Sequence, residues 1–182
     1  MKNIIFLDID GVLNDNTTYL SIESLENLKQ LINYYNTQIV IISSRQQNGT
    51  ANRRKRIKYQ FEKLGIYNID FIDPNFEGNL FEFKIPSRLL GIIDYLKHNK
   101  ESNYVILDDD YHNKYKLIGL NSYKTNPNKG LTKKDLPKIA LNPVNYNIFN
   151  YITYKYRNLG NYEVATNNLI KVLKKKYEND IK

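Results

Sequence analysis

Residues 4–14 read IIFLDIDGVLN, and this stretch decides both the fold and the chemistry of the chain. Four consecutive apolar residues predict a strand that is buried on both faces. Asp8 and Asp10 follow at the end of that strand, immediately before a turn at Gly11. Unpaired buried carboxylates are costly, so these two groups need solvent, hydrogen-bond donors or a cation.

Further apolar runs predict an α/β protein. Runs at Ile39–Ile42 and Tyr104–Leu107, with weaker ones at Ile69–Ile72 and Lys116–Ile118, alternate with helical patterns. One helix is expected behind a Ser21 cap with Ile22, Leu25, Leu28, Ile32 and Tyr35 on its apolar face, a second before Gly65, and a third through Leu89, Ile92, Ile93 and Leu96. This order predicts a doubly wound, Rossmann-like parallel sheet flanked by helices. A further short helix is expected at residues 131–136.

Polar residues follow each strong strand of this predicted sheet. They are Asp8 and Asp10, then Ser43-Ser44-Arg45, then Asp108 and Asp109. Ligands of such sheets bind beyond the carboxyl ends of the strands, where these groups converge. Asp8 could attack phosphorus while Asp10 serves as acid and base, and Ser43 could bind a phosphoryl oxygen. Asp108 and Asp109 would complete an all-oxygen site suited to Mg²⁺.

Composition and charge narrow the chemistry. The chain has 182 residues and no cysteine, which excludes disulfides, thiolate metal sites and cysteine nucleophiles. It contains no signal-peptide pattern, no transmembrane-length apolar run and no P-loop, so we expect an intracellular, cytoplasmic protein with no membrane partner and no P-loop kinase of its own. The net charge of +8 is unevenly distributed, with −2 over residues 1–110 and +10 over residues 111–182, and the basic half is compatible with a polyanionic partner.

Three of these segments together resemble the haloacid dehalogenase-like (HAD) superfamily. FLDIDGVL from residue 6, IISSR from residue 41 and VILDD from residue 105 are similar to its motifs I, II and IV, over about residues 2–140. The resemblance implies that Asp8 is a nucleophile, that Asp10 is the acid/base and lends its backbone carbonyl to the metal, and that Ser43 binds phosphate. An aspartate at the second position is typical of the phosphatases of this superfamily. The basic residue of motif III is expected to be Arg88, with Lys84 as the alternative.

The sequence also suggests which phosphate ester the site would take. The chain has little room for a cap, which implies an open site, and ISSR followed by DD is similar to polynucleotide phosphatases of RNA and DNA end repair. There the arginine matching Arg45 touches substrate phosphate. Further candidates for substrate contact are Gly11, Ser44, Arg53 and Arg54, although the basic run at residues 53–56 is also typical of a solvated helix face.

The resulting prediction is a Mg²⁺-dependent phosphatase acting on an RNA or DNA end, through a catalytic domain at residues 1–141. Residues 142–182 are expected to form a basic extension with an amphipathic helix, packed on or next to that domain. A kinase or ligase partner would be a separate protein, and the oligomeric state stays open. Two alternatives remain at this point: a phosphatase of small molecules or nucleotides, and a non-catalytic HAD-fold module that binds nucleic acid or protein.

Overall fold

The computed structural model describes residues 1–14, 19–46, 51–72, 87–117 and 119–145. Within them the strands are β1 (Lys2–Leu7), β2 (Thr37–Ile41), β3 (Ile69–Phe71), β4 (Ser102–Leu107), β5 (Ser122–Tyr123) and β6 (Asn142–Pro143), and the helices are α1 (Ile22–Tyr35), α2 (Ala51–Lys63), α3 (Ser87–His98) and α4 (His112–Leu117). The strands form one six-stranded sheet, in which five follow the order β3-β2-β1-β4-β5 with every pair parallel, and β6 pairs with β4 outside this series.

The predicted α/β class and doubly wound parallel sheet are confirmed. β1 lies in the middle of the sheet, between β2 and β4. Successive residues of a strand point to opposite faces, so Ile5 and Leu7 pack with α1 and α2, while Ile4 and Phe6 pack with α3. Both faces of the central strands are therefore buried, which explains why their sequences are apolar without a period of two.

Helix boundaries follow local signals that are readable in the sequence. The Ser21 side chain accepts a hydrogen bond from the backbone N–H of Ser24 at the start of α1, and Gly65, with φ of +76°, follows the end of α2. The apolar face predicted for α1 is wrong at its first position. Ile22 is 75% exposed, and the buried leucines of this helix are Leu25, Leu28 and Leu31.

Two local predictions fail at the β4–β5 side of the sheet. The expected strand from Lys116 falls in α4, because Asp108 accepts hydrogen bonds from the backbone N–H groups that precede this helix and favours a helical start. β5 comes after Gly119, whose φ is +73°. The expected helix at residues 131–136 is instead a turn followed by a 3-10 turn at Leu136–Lys138, with proline at its start.

The described chain continues beyond the predicted catalytic domain. β6 pairs antiparallel with the first residues of β4, and Val144 is buried in the core. The predicted amphipathic helix at residues 162–176 and the rest of residues 146–182 lie outside the described residues. So do residues 15–18 and 73–86. Within the described ranges, no helix is both long enough and apolar enough to cross a bilayer.

Candidate active site

The carboxyl ends of two neighbouring central strands bring three carboxylates together. Asp8 directly follows β1 and Asp108 directly follows β4, and the backbone N–H of Asp8 donates to the carbonyl of Leu107 at 3.0 Å. One carboxylate oxygen from each of Asp8, Asp108 and Asp109 lies within 4.8 Å of the other two. The parallel pairing of β1 with β4 therefore brings Asp8 close to Asp108, although the two residues are 100 positions apart in the sequence.

Arg88 provides a buried positive charge for this cluster. It lies in the first turn of α3, and its Nη1 contacts Asp8 Oδ2 at 2.6 Å and Asp108 Oδ2 at 2.7 Å. The guanidinium also lies over the ring of Tyr111, with 4.9 Å between Cζ and the centroid. Burial alone would lower the pKa of Arg88, but the two carboxylates outweigh it and raise that pKa. Arg88 is thus fixed between the two acids.

Burial governs the protonation of Asp8. Only 4% of this residue is exposed, and loss of solvent raises the pKa of its carboxyl group to about 6. Arg88 opposes this shift, as do hydrogen bonds from the backbone N–H of Ile9 at 2.8 Å and from Ser43, whereas the charge of Asp108 adds to it. The side chain is ionised at neutral pH even with this shift, as a nucleophile must be.

Asp108 is fully occupied by hydrogen bonds. Its Oδ1 accepts from the backbone N–H groups of Asp110 and Tyr111, and its Oδ2 accepts from Arg88 and from the Tyr115 hydroxyl at 2.9 Å. Tyr115 is 1% exposed, and sequence reasoning did not identify it. No sequence signal distinguishes it from the other tyrosines, since only the packing of α4 against the sheet points its hydroxyl at Asp108.

Asp109 is the half-buried acid of the cluster, and its position depends on Gly11. A Cβ atom built on Gly11 would lie 2.2 Å from Cγ of Asp109, and Gly11 has a φ of +69°. Burial and the neighbouring charges of Asp108 and Asp110 raise the pKa of Asp109. Gly11 was predicted to contact substrate, which stays a prediction; the structure shows that the missing side chain of Gly11 leaves room for the Asp109 carboxylate.

Asp10 is not one of the three clustered acids and belongs to a second, more exposed arrangement with Arg45. Arg45 contacts both of its oxygens, with Nε donating to Oδ2 at 2.9 Å and Nη2 contacting Oδ1. The Asn14 amide donates to Oδ1 at 2.9 Å and accepts from the Gly11 N–H at 2.8 Å. Burial would raise the pKa of Asp10, but the hydrogen bonds from Arg45 and Asn14 hold it below its ordinary value. Asn14 lies in the opening motif, but its role is visible only in the folded structure.

The two serines of the second segment have opposite environments. Ser43 is fully buried, and its side chain is hydrogen-bonded to the Asp8 carboxylate. Its hydroxyl oxygen also accepts a hydrogen bond from the backbone N–H of Arg45 at 3.3 Å. Ser44 is exposed and begins a 3-10 turn that ends at Gln46. The geometry therefore selects Ser43 as the serine beside the carboxylate cluster.

The remaining predicted residues lie farther from the acids or outside the described residues. Arg53 is exposed in α2, whereas Arg54 donates to the carbonyl of Ile72 at 2.8 Å and lies over the ring of Phe71. Arg54 thus binds the end of β3 rather than facing open solvent. Lys84 lies outside the described residues, so Arg88 is the motif III candidate whose contacts the structure describes.

The donor set fits a hard divalent cation. Carboxylate oxygens are ligands that Mg²⁺ prefers. Asp8, Asp108 and Asp109 carry three negative charges against the one positive charge of Arg88, which leaves two for a cation to neutralise. Because Asp108 already carries four hydrogen bonds, Asp8 and Asp109 are the side chains best placed to coordinate. The side chain of Asp10 is outside the three-acid cluster; the resemblance assigned a role to its backbone carbonyl.

The parallel sheet and the acids at its carboxyl edge define a Rossmann-like protein with a carboxylate site of the HAD type. Residues 4–136 match the family described as the HAD domain in Swiss Army Knife RNA repair proteins, and the chain belongs to this family. The predicted relationship to HAD domains of RNA repair is thereby confirmed. No curated protein and no solved structure gives a significant match to the chain.

Proposed function

We propose that the protein is a Mg²⁺-dependent phosphomonoesterase in which Asp8 is the nucleophile. The observation that carries this proposal is the convergence of Asp8, Asp108 and Asp109 within 4.8 Å, with Arg88 between the first two. A phosphate ester brings further negative charge, and Arg88 together with a divalent ion would offset it. Burying several charges is costly, which favours a functional role for this cluster over a structural one.

The chain's own residues support a two-step reaction. An Asp8 oxygen forms a bond to phosphorus as the ester P–O bond breaks, and the departing alkoxide takes a proton from Asp10. Water then attacks the aspartyl-phosphate while Asp10 accepts its proton, which releases inorganic phosphate and regenerates Asp8. Bound Mg²⁺, held by Asp8 and Asp109, would supply charge neutralisation. Ser43 orients the Asp8 carboxylate through its hydrogen bond.

Arg45 would act at the substrate rather than in the buried cluster. Its side chain is 33% exposed, and its guanidinium pairs with Asp10, whose side chain is 50% exposed. A phosphate ester offers the same bidentate acceptor geometry as a carboxylate. Substrate can therefore compete for Arg45, and the exchange would free Asp10 to hold the proton that the first step needs.

A phosphorylated end of RNA or DNA is the proposed substrate. The family description refers to RNA repair proteins, and the net charge of +8 is compatible with a polyanion. Kinase or ligase chemistry would come from a separate protein. A phosphatase of nucleotides or other small molecules is the main alternative, and a non-catalytic HAD module is the second.

The first experiment measures hydrolysis of an aryl phosphate with Mg²⁺ and with chelator. We expect Mg²⁺-dependent turnover that falls by more than about a thousandfold in Asp8→Asn, because the nucleophile is lost. Asp94→Asn, which removes a carboxylate on the surface of α3, is the matched control and should retain activity. Equal rates for the unmodified chain and Asp8→Asn would favour the non-catalytic alternative.

The second experiment addresses substrate class. Oligonucleotides with a 5′ or a 3′ phosphate are compared with the corresponding mononucleotides at equal phosphate concentration. A polynucleotide phosphatase should have a higher kcat/KM on one of the oligonucleotides, because contacts beyond the terminal nucleotide contribute binding. Equal kcat/KM values on oligonucleotides and mononucleotides would count against a nucleic-acid end as substrate.

A further inference from the structure

We infer that the exposed face of α2 is a binding surface for single-stranded nucleic acid, which carries the strand away from the active site. This inference rests on the proposed function, because it deepens the substrate of the same site. The surface consists of Arg53, Lys55, Arg56, Tyr59 and Lys63, all of which are exposed. We call it the α2 surface.

The position of α2 connects this surface to the active site. The helix follows the 3-10 turn that begins at Ser44, directly after the buried Ser43. Arg54 in its first turns donates to the carbonyl of Ile72, and the N–H of Ile72 donates to the carbonyl of Ile41 at the end of β2. The first turns of α2 are thereby fixed at the same edge of the sheet as the carboxylate cluster.

Charge makes this side of the site different from the other. α2 has six Lys and Arg residues and one acid, Glu62, whose contact with Lys58 is 4.0 Å long. Among the described residues, Arg53, Lys55 and Arg56 have no ion-pair partner. The β4 side of the same edge has mixed charge, because Asp109 and Asp110 follow β4 while Lys116 and Lys124 lie close enough to His112 to lower its pKa. A strand leaving the site is therefore attracted toward α2.

Spacing along the helix adds a place for a base. Arg56, Tyr59 and Lys63 are separated by three and four residues, so they lie on one face of α2. The Tyr59 residue is 57% exposed, and Nζ of Lys63 lies 4.6 Å from the centroid of its ring. An exposed aromatic ring between cations is the arrangement on which unpaired bases stack while phosphates pair with the charges. A duplex would not offer its bases to Tyr59, which favours a single strand.

The test measures binding of single-stranded RNA and DNA 12-mers and of a duplex by fluorescence anisotropy, across a series of salt concentrations. Mg²⁺ is omitted so that no turnover occurs. Arg53→Gln/Arg56→Gln should weaken single-strand binding and reduce the slope of log K against log salt by about 1.4, since each lost phosphate contact contributes about 0.7 on single strands. Lys97→Gln/Lys100→Gln removes the same charge at the opposite edge of the sheet and should leave the slope unchanged.

A second pair of variants isolates stacking. Tyr59→Ser should weaken single-strand binding by about fivefold or more, because a stacked base is lost, whereas Tyr59→Phe should bind as the unmodified chain does. The inference is overturned if Arg53→Gln/Arg56→Gln has the same salt slope as the unmodified chain, or if both double variants lose the same affinity for single strands. Tighter binding of the duplex than of the single strands would also overturn it. These outcomes are independent of aryl phosphate turnover, so the inference can fail while the proposed phosphatase activity stands, and the reverse.

Discussion

The two charged arrangements of the candidate active site differ in how firmly they are fixed. Arg88 is held by Asp8 and Asp108 with side chains no more than 8% exposed, whereas Arg45 and Asp10 form a pair that is one third to one half exposed. Buried ions cannot exchange their partner for water without a large cost, while exposed ions can. The first arrangement is thus suited to fixed charge stabilisation, and the second to exchange of partners when substrate binds.

The largest expected effect comes from removing the buried cation. Arg88→Met leaves Asp8 and Asp108 facing each other without a counter-charge, which should lower the free energy of unfolding by about 3–5 kcal/mol at neutral pH. Urea denaturation measures this change. Part of the loss should return near pH 5, because protonation of Asp8 relieves the repulsion. A loss no greater than that of Arg45→Met would remove the distinction between the two arrangements.

The pH dependence of stability provides the next test, on the protein without metal. The pKa of Asp8 is about 6 in the folded state and 3.8 as its ordinary value, so the folded state binds more protons between these values. Protonated Asp8 therefore stabilises the fold below about pH 4, and this stabilisation is lost as the pH rises through 6. The expected loss in the free energy of unfolding is roughly 2–3 kcal/mol. Denaturation curves of Asp8→Asn should lack this fall.

Asp10 should show the opposite trend. The pKa of Asp10 is lowered in the folded state, so ionised Asp10 stabilises the fold at pH values above the ordinary aspartate pKa. This stabilisation disappears as the pH falls. Comparison of Asp8→Asn with Asp10→Asn over pH 3–7 therefore separates the buried carboxylate from the exposed one. The same direction of change in both variants would contradict the assignment.

Gly11 offers a test of the metal site. Gly11→Ala places a Cβ where Asp109 now lies and should weaken Mg²⁺ binding about tenfold or more, measured as the Mg²⁺ concentration for half-maximal activity. The backbone strain alone costs about 1–2 kcal/mol. Gly65→Ala is a matched control, since Gly65 has a φ of +76° and nothing lies within 4 Å of the position that its Cβ would take. If both variants shift the Mg²⁺ requirement equally, displacement of Asp109 is not the cause.

Tyr115 tests whether hydrogen bonding to Asp108 matters for turnover. Tyr115→Phe keeps the ring in the core and removes the hydroxyl, which should cost about 1–2 kcal/mol of stability and lower kcat more than it raises KM. Tyr35→Phe loses a hydroxyl that donates to the carbonyl of Ile139 at 2.8 Å, far from the acids. A similar stability loss with full kcat is expected for Tyr35→Phe. Unchanged kcat in Tyr115→Phe would assign this tyrosine to packing alone.

The smallest expected effect on stability belongs to Arg45. Exposed ion pairs contribute little, so Arg45→Met should change the free energy of unfolding by less than about 1 kcal/mol. Hydrolysis of phosphate esters should nevertheless fall, with a raised KM, if Arg45 exchanges Asp10 for substrate phosphate. Steady-state kinetics on an aryl phosphate measure this. A large stability loss with an unchanged KM would mean that the pair is structural.

Long elements with a strong apolar pattern were predictable from the sequence, and short ones were not. The apolar run before Asp8 predicted a strand that is buried on both faces, whereas its place between β2 and β4 came from the structure. Helix faces with a strong period, such as Leu89 to Leu96 in α3, were predictable for the same reason. Short elements were not, because β5 and β6 have two residues each and carry no periodic signal.

Burial patterns and motif residues are local properties of the chain, so the α/β class, the family and the acids at the strand ends are predictable from the sequence alone. The differences between those acids arise on folding: Asp108 accepts hydrogen bonds from Tyr115, Arg88 and the start of α4, Asp109 lies against Gly11, and Asp10 pairs with Arg45. The physical reason is that the protonation and hydrogen bonding of a carboxylate depend on neighbours brought by other elements. Residue type alone does not encode them.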